Sequence, residues 1–368
     1  MASGMKYAVF GEGKGGLAVA GRLLMKGAKV NFLTFREMQD YVAPLQQGGG
    51  ITVTGIRGEG FVRLNKVTIN VGEALKDVDV IAIVVEAQRQ KRCAELCAPH
   101  LEDGQIVLLQ PGNAGGALEF IHTLKQLGVV KDVPVAETVG LFLNYRRGPT
   151  AVEIIAVKND TAVGVFPGRR TQEIVDALSL DFDELAPAAN VLETSLSNIN
   201  HILHPPIGIL NVGRTEDTEG DFGLYTQGFT TSVAKLMEVS DEERVAVVRA
   251  CGLVPVSLKK LLLQFYGDQG ASGESLYEVI KYNPAYQMWR APPTIHHRFF
   301  TEDIPYGLVF ISSLGKLLRV PAPSIDAMIT LGSIVTGTDY WAQGRTAEKV
   351  GLAGMDAARM KEFVMEGR

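Results

Sequence analysis

The chain is sparing with cysteine, holding three in 368 residues: Cys93, Cys97 and Cys251. Three thiols cannot form a disulfide framework, and one C-x3-C pair without a second pair nearby is poor zinc spacing. Reduced, buried thiols in a cytoplasmic protein are expected, with no metal site. Long apolar runs are lacking too. The longest, VIAIVV at 80–85, is far short of the roughly 20 residues of a membrane span, and the N-terminus has no signal-peptide core. Positive charge is never concentrated: no Lys/Arg run exceeds a pair and the net charge is -5, so neither nucleic acid nor a membrane surface is expected as partner. A small molecule fits better. Histidine is scarce at six, yet two of them stand three apart in SNINHILHPPIGILN, residues 197–211.

What is present is an ordinary globular composition, 46% hydrophobic and 21% charged. At roughly 150 residues per domain the length implies about two domains. The leading MASG, ahead of Met5, reads as an expression remnant. Short apolar runs then alternate with amphipathic ones: KYAVF (6–10), LAVAGRLLMKG (17–27), KVNFL (29–33), VIAIVV (80–85) and QIVLLQ (105–110). This alternation predicts βαβ units on a parallel sheet, a Rossmann-like α/β domain. GGGITVTGIRGEGFVRL (48–64), with period two and frequent glycine, predicts an inserted hairpin. The strands at 134–166 are expected to complete the same sheet as an antiparallel extension. Beyond about Pro187 the pattern turns helical, as in FTTSVAKLMEVSDEERVAVVRACG. The expected division is therefore 1–187, a dinucleotide-binding domain, and 188–368, an all-α domain.

GEGKGG at 11–16 follows the first strand and opens the first helix, setting Gly11, Gly13 and Gly16 in G-x-G-x-x-G register around Lys14 and Gly15. Gly11 permits the turn, Gly13 lets a pyrophosphate approach, and Gly16 lets helix and strand pack closely. A plain glycine-rich turn is the alternative. Where NAD enzymes usually carry an acidic residue at the end of the second strand, this chain has Thr34 and Arg36, a pairing suited to a 2′-phosphate. NADP is expected over NAD, although Arg36 as a solvated side chain and Glu37 turned inward remain alternatives. Lys14 is either positive charge for the phosphates or solvated. At the ends of later strands Val85, Glu86 and the turn at Pro111 and Gly112 are further cofactor candidates, against a plain tight turn.

Read as a helix, SNINHILH places Asn200 and His204 on one face at i and i+4, with His201 about 60° away. Pro205 and Pro206 are expected to stop this helix and hold His204 in its last turn, where the helix dipole favours its charged form. Capping or core packing would explain the histidines equally. In HHRFFTEDIPYGLVF (296–310), Asp303 is a candidate helix cap and Arg298 a candidate surface ion-pair partner. Yet a His to move a proton, an Asp to orient it and an Arg to clamp a carboxylate are what reduction of a C=O or C=N beside a carboxylate requires.

GEGKGG, PGNAGGALEF, AET at 136–138, NVLETSLSNINHILHP, NPAY at 283–286, EDIPYGLV and VPAPSIDA together resemble the opine dehydrogenases, the octopine/nopaline dehydrogenase family, nearly end to end. The resemblance implies reductive condensation of an amino acid with a 2-oxo acid such as pyruvate, using NADPH or NADH, in a cleft between the two domains. Matched position by position, it implies His204 as proton carrier, Asp303 as its partner, Arg298 on the substrate carboxylate and Asn200 orienting the substrate. His201 then becomes a bystander with a packing or solvent role. A bacterial member has aspartates where Thr34 and Arg36 stand, and one proline where this chain has two, so an NAD preference does not transfer. A homodimer is expected by analogy of fold. The rivals are a ketopantoate-reductase-type reductase of simple 2-oxo acids and a non-catalytic nucleotide sensor.

Overall fold

The computed structural model describes residues 4–11 and 13–368; residues 1–3, most of the leading MASG, and Glu12 of the glycine loop lie outside the described residues. The chain divides into two compact units, Met1–Gly112 with Gly116–Thr194 and Met365–Gly367, and Ser195–Val364 with Asn113–Gly115 and Arg368.

The first unit runs β1 (Lys6–Gly11), α1 (Gly13–Met25), β2 (Lys29–Leu33), α2 (Gln39–Gly48), β3 (Gly50–Gly55), β4 (Gly60–Arg63), β5 (Lys66–Thr68), α3 (Val71–Leu75), β6 (Val80–Val84), α4 (Ala87–Cys97) and β7 (Ile106–Leu109). It continues with α5 (Gly116–Gln126), β8 (Val135–Thr138), β9 (Phe142–Gly148), β10 (Ala151–Val157), β11 (Thr161–Phe166), α6 (Thr171–Leu178) and β12 (Leu185–Pro187), and α7 (Val191–Ser197) begins in it. Among the described residues an eight-stranded sheet has the order β12-β11-β8-β7-β6-β1-β2-β5. From β5 to β8 neighbouring strands are parallel. Every residue of β6 and β7 is buried, which is why these strands read as unbroken apolar runs rather than as an alternation. The Rossmann-like reading holds.

The hairpin forms as β3 and β4, but it does not stand alone. It joins β10 and β9 in a second sheet of order β4-β3-β10-β9, with β3 parallel to β10. The expected single antiparallel extension is therefore corrected: β8 adds in parallel, only β11 runs antiparallel to it, and β9 and β10 leave for the second sheet. The reason is α1, which packs against strands of both sheets and is buried continuously from Gly16 to Leu23. A helix buried all round needs a second apolar layer, and the hairpin with β9 and β10 provides it. The division by compactness also falls after Thr194 rather than at 187, because Thr194 on α7 donates to the buried Glu137 Oε1 at 3.0 Å.

The second unit is helical: α8 (Asn200–Ile209), α9 (Val212–Thr218), α10 (Thr231–Ala250), α11 (Leu258–Tyr266), α12 (Leu276–Lys281), α13 (Arg298–Thr301), α14 (Val309–Leu317), α15 (Pro323–Thr336) and α16 (Tyr340–Gln343). A further helix, α17 (Ala357–Glu366), reaches from it toward the C-terminus. The starts are locally encoded. Thr230, Ser257 and Asp339 each cap a first turn, and Ser275 with Glu278 forms a capping box. Two π-helical turns, Leu224–Gly228 and Ile304–Leu308, interrupt the pattern, and the second directly follows Asp303. No helix among the described residues is long and apolar enough to cross a membrane.

Candidate active site

The glycine loop is built as its spacing requires. Gly13 takes φ +61°, the left-handed region, with open space where a side chain would begin. A Cβ on Gly16 would fall 2.8 Å from the Cα of Gly11, and one on Gly11 would fall 2.9 Å from the Cα of Gly16. The two glycines thus admit one another where β1 turns into α1, so that helix and strand pack closely at the turn. Lys14 is half-buried rather than solvated, its ammonium 5.6 Å from the Tyr145 ring centroid. A Cβ on Gly15 would meet only Val84, at 3.5 Å.

At the end of β2, Thr34 and Phe35 are buried and Arg36 is exposed. Glu37 is claimed by Arg92 of α4, which donates to both carboxylate oxygens. Arg92 holds the Glu37 carboxyl below its ordinary range through that bond. The guanidinium groups of Arg89 and Arg92 lie 5.2 and 4.8 Å from the Phe35 ring centroid, so three arginines gather at the strand end where only Arg36 was expected. Their signal was legible in principle, as two cations three apart on a single face of α4. Val85 is buried and Glu86 is exposed, accepting from Gln88. Pro111 O accepts from Gln90 at 2.8 Å. A Cβ on Gly112 would fall 2.5 Å from Glu137 Oε2, a packing reason for that glycine.

In the helical unit, His204 Nδ1 meets Asp303 Oδ2 at 2.8 Å across 99 positions of sequence. An ionised carboxylate accepts only, so Nδ1 carries the hydrogen, and Nε2 is the nitrogen turned away from the carboxylate. The His204 ring stacks on Phe299, centroids 4.2 Å apart, and its side chain is 12% exposed. Asp303 is fully buried. Burial alone would raise its carboxyl, but His204, His201 and Arg298 outweigh that and hold it well below the ordinary carboxylate range. Asp303 makes no helix-capping hydrogen bond, so its side chain is spent on the histidines instead.

One expectation about this segment is overturned. The helix does not stop at the prolines: α8 runs through Pro205 and Pro206 to Ile209. The prolines forgo only their own amide bonds, and the helix continues because its apolar face, including Leu203 and Ile207, is buried. His204 therefore sits mid-helix, and Asp303 rather than the helix dipole governs its charge. Of the packing and solvent places expected for His201, the structure gives it the packing one. It is completely buried, with Nδ1 3.3 Å from Asp303 Oδ1, near enough for charge interaction although off hydrogen-bond alignment. Gly307 makes room for it, since a Cβ there would lie 2.2 Å from His201 Nδ1.

Arg298 opens α13 and its Nε stands 3.1 Å from Oε2 of the buried Glu302. Glu302 Oε1 accepts from Asn113 Nδ2 at 3.1 Å, and Asn113 Oδ1 accepts from Asn198 Nδ2 at 3.2 Å. Asn200 shares α8 with His204 at the expected four-residue spacing, and its amide donates to Asn198 Oδ1 at 3.2 Å. Tyr225, in the first π-helical turn, stacks on Tyr286 of NPAY with centroids 4.4 Å apart. Burial, first of all, raises the Tyr225 phenol, and the charges of Asp303 and Arg298 both act on it. Glu302, Asn113, Asn198 and Tyr225 were missed because each needs a distant partner to acquire meaning. Among the described residues no group of three or more His, Cys, Asp or Glu is arranged for a metal, and the three cysteines are buried and outside any disulfide.

Residues 187–336 match the NAD/NADP octopine/nopaline dehydrogenase alpha-helical domain. An opine dehydrogenase of Arthrobacter sp. (strain 1C) is 35% identical over 97% of this chain and 98% of its own. A solved octopine dehydrogenase bound to NADH and L-arginine superposes with a TM-score of 0.80 at 20% identity, covering 99% of this chain and 98% of that one. A ketopantoate reductase from Ralstonia eutropha JMP134 reaches a TM-score of 0.61 at 17% identity, covering 90% of this chain and 99% of that one. Sequence likeness sustained over nearly the whole length, with the helical-domain pattern where the His–Asp pair lies, shows that this chain belongs to the opine dehydrogenase family, NAD(P)-dependent dehydrogenases acting on the CH–NH group of their donors.

Proposed function

We propose that the protein condenses the amino group of an amino acid with a 2-oxo acid such as pyruvate and reduces the resulting imine, NADPH being preferred over NADH. The observation that carries this reading is the 2.8 Å pair of His204 Nδ1 and the buried Asp303. The loop of Gly11, Gly13, Lys14, Gly15 and Gly16, with Val85, Glu86, Pro111 and Gly112 at the neighbouring strand ends, would hold the dinucleotide, whose reduced nicotinamide would supply the hydride. Arg298 and Asn200 hold the oxo-acid carboxylate. His204, its ring fixed by Asp303 and Phe299, passes a proton from Nε2 to the carbonyl oxygen as the amine adds, takes one back from the added nitrogen and returns it to the new hydroxyl, so that water leaves and a protonated imine remains for reduction. Asp303 stabilises the charged ring without itself taking the proton, which its depressed pKa supports. Thr34 and Arg36, with Arg89 and Arg92 close by, support the preference for a 2′-phosphate.

The working state is a homodimer in the cytoplasm. In support, α15 turns an uncharged stripe of Ala327, Leu331, Ile334 and Val335 to solvent, and the thiols are not joined in disulfides. The test of function is a matrix of 2-oxo acids against amino acids, read by NAD(P)H oxidation with product masses. Oxidation only where both substrates are present, with a condensed product, is expected. Oxidation by an oxo acid alone, giving a hydroxy acid, would favour the simple reductase instead.

A further inference from the structure

The carboxylate clamp rests on a connected set of buried polar groups whose orientation is decided at both ends. At one end the backbone amide of Asn200 can only donate, and Asn198 Oδ1 accepts it at 3.2 Å. That choice turns Asn198 Nδ2 toward Asn113 Oδ1, which in turn aims Asn113 Nδ2 at Glu302 Oε1, at 3.2 and 3.1 Å. At the other end a carboxylate can only accept, and its second oxygen, Oε2, pairs by charge with Arg298 Nε at 3.1 Å, off hydrogen-bond alignment. Asn198, Asn113 and Glu302 are 1 to 2% exposed. Asn113 is held at φ +57°, a left-handed conformation that a non-glycine residue keeps only when its surroundings demand it. An arginine that is to grip a substrate anion would not ordinarily be placed beside another carboxylate, since the two anions compete for one charge. The arrangement makes sense if the buried carboxylate sets the direction of the guanidinium fork.

We propose that Glu302 is the positioning residue for Arg298, and that through Asn113 and Asn198 it keeps Arg298 and Asn200, the two groups on the oxo-acid carboxylate, in register. This rests on the reading of Arg298 as the carboxylate holder. A glutamine at 302 cannot serve both neighbours, because its single acceptor faces either Asn113 or Arg298 and its amide group meets a donor on the other side.

The test is steady-state kinetics with pyruvate as the varied oxo acid, for Glu302→Gln, Glu302→Asp, Asn113→Ala and Arg298→Ala, with NADPH and NADH binding followed by fluorescence. Glu302→Gln is expected to raise the KM for pyruvate about 10- to 100-fold, the range of a hydrogen bond to a charged group, with far less change in kcat and none in nucleotide affinity. Glu302→Asp, which keeps two acceptors, recovers part of the loss, and Asn113→Ala raises the KM several-fold. By charge alone, removing an anion beside the site would lower the KM. A KM that falls or stays level in Glu302→Gln therefore overturns the proposal, as does a level KM in Asn113→Ala should the glutamine variant fail to fold. If Arg298→Ala itself leaves the pyruvate KM unmoved, the reading of Arg298 fails first. A large effect there without one at 302 removes the positioning role alone.

Discussion

In the first unit the residues that shape the nucleotide loop, Gly11, Gly13 and Gly16, lie within six positions of one another and act through the backbone, by what they lack: each gives room that a Cβ would fill or a φ that a Cβ would resist. In the helical unit the residues that matter are side chains, drawn from segments about a hundred positions apart and paired with a fully buried carboxylate, as His204 is with Asp303. The contrast teaches that a phosphate site is made from the free ends of a helix and tolerates exposure, whereas a proton carrier needs a fixed partner in a dry place.

The comparison breaks most sharply at His204. Replacing it with alanine should lower kcat about 100- to 10,000-fold while leaving the NAD(P)H dissociation constant unchanged; near-full turnover would remove it from the mechanism. The complementary substitution is Gly16→Ala, whose Cβ would stand 2.8 Å from the Gly11 Cα. Overpacking of this kind costs about 1–3 kcal/mol. The expected result is a lower melting temperature and weaker nucleotide binding, with the residual kcat at saturating cofactor largely kept. Failure to affect binding would mean the loop does not cradle the nucleotide.

Arg36→Ala should weaken NADPH about ten-fold and spare NADH, the loss expected for one charge-assisted contact to a phosphate. Equal losses for both cofactors would sink the 2′-phosphate reading, and a larger loss from Arg89→Ala would move the specificity from β2 to α4.

The smallest effect is on stability in acid. The folded Asp303 carboxyl lies below its unfolded value of about 3.9, so its contribution is complete above that value and is lost as pH falls through the folded one. Urea midpoints between about pH 2 and 5 should therefore rise with pH in the native protein, and less steeply in Asp303→Asn. Identical slopes would show that the carboxylate is not held ionised by its histidines.

Legibility followed the range of the interaction. The turn from β1 into α1 was readable because a strand, a glycine at each required offset and a helix follow within twenty residues. Asn200 and His204 were readable as a helix face because four residues make about one turn. For His201 the choice between packing and solvent was not readable, because its neighbours Asp303 and Gly307 are not near it in sequence. The prolines were misjudged for a related reason: the local rule against proline inside a helix was outweighed by burial of the Leu203 and Ile207 face. Arg92 gained its role only when Glu37 came within reach.

By itself the sequence determined the alternation of strand and helix, the glycine loop, the helical character beyond Pro187, the absence of disulfide and membrane-spanning patterns, and the residue types needed for proton transfer and carboxylate binding. Those are properties of composition and of spacings shorter than a few helical turns. The tertiary structure alone decided that the hairpin joins β9 and β10 in a second sheet, that two histidines share one buried carboxylate, and that Glu302 stands between Arg298 and Asn113. Each of these pairs groups far apart along the chain, and a charge or amide taken out of water acquires its strength from whichever partner the fold brings to it.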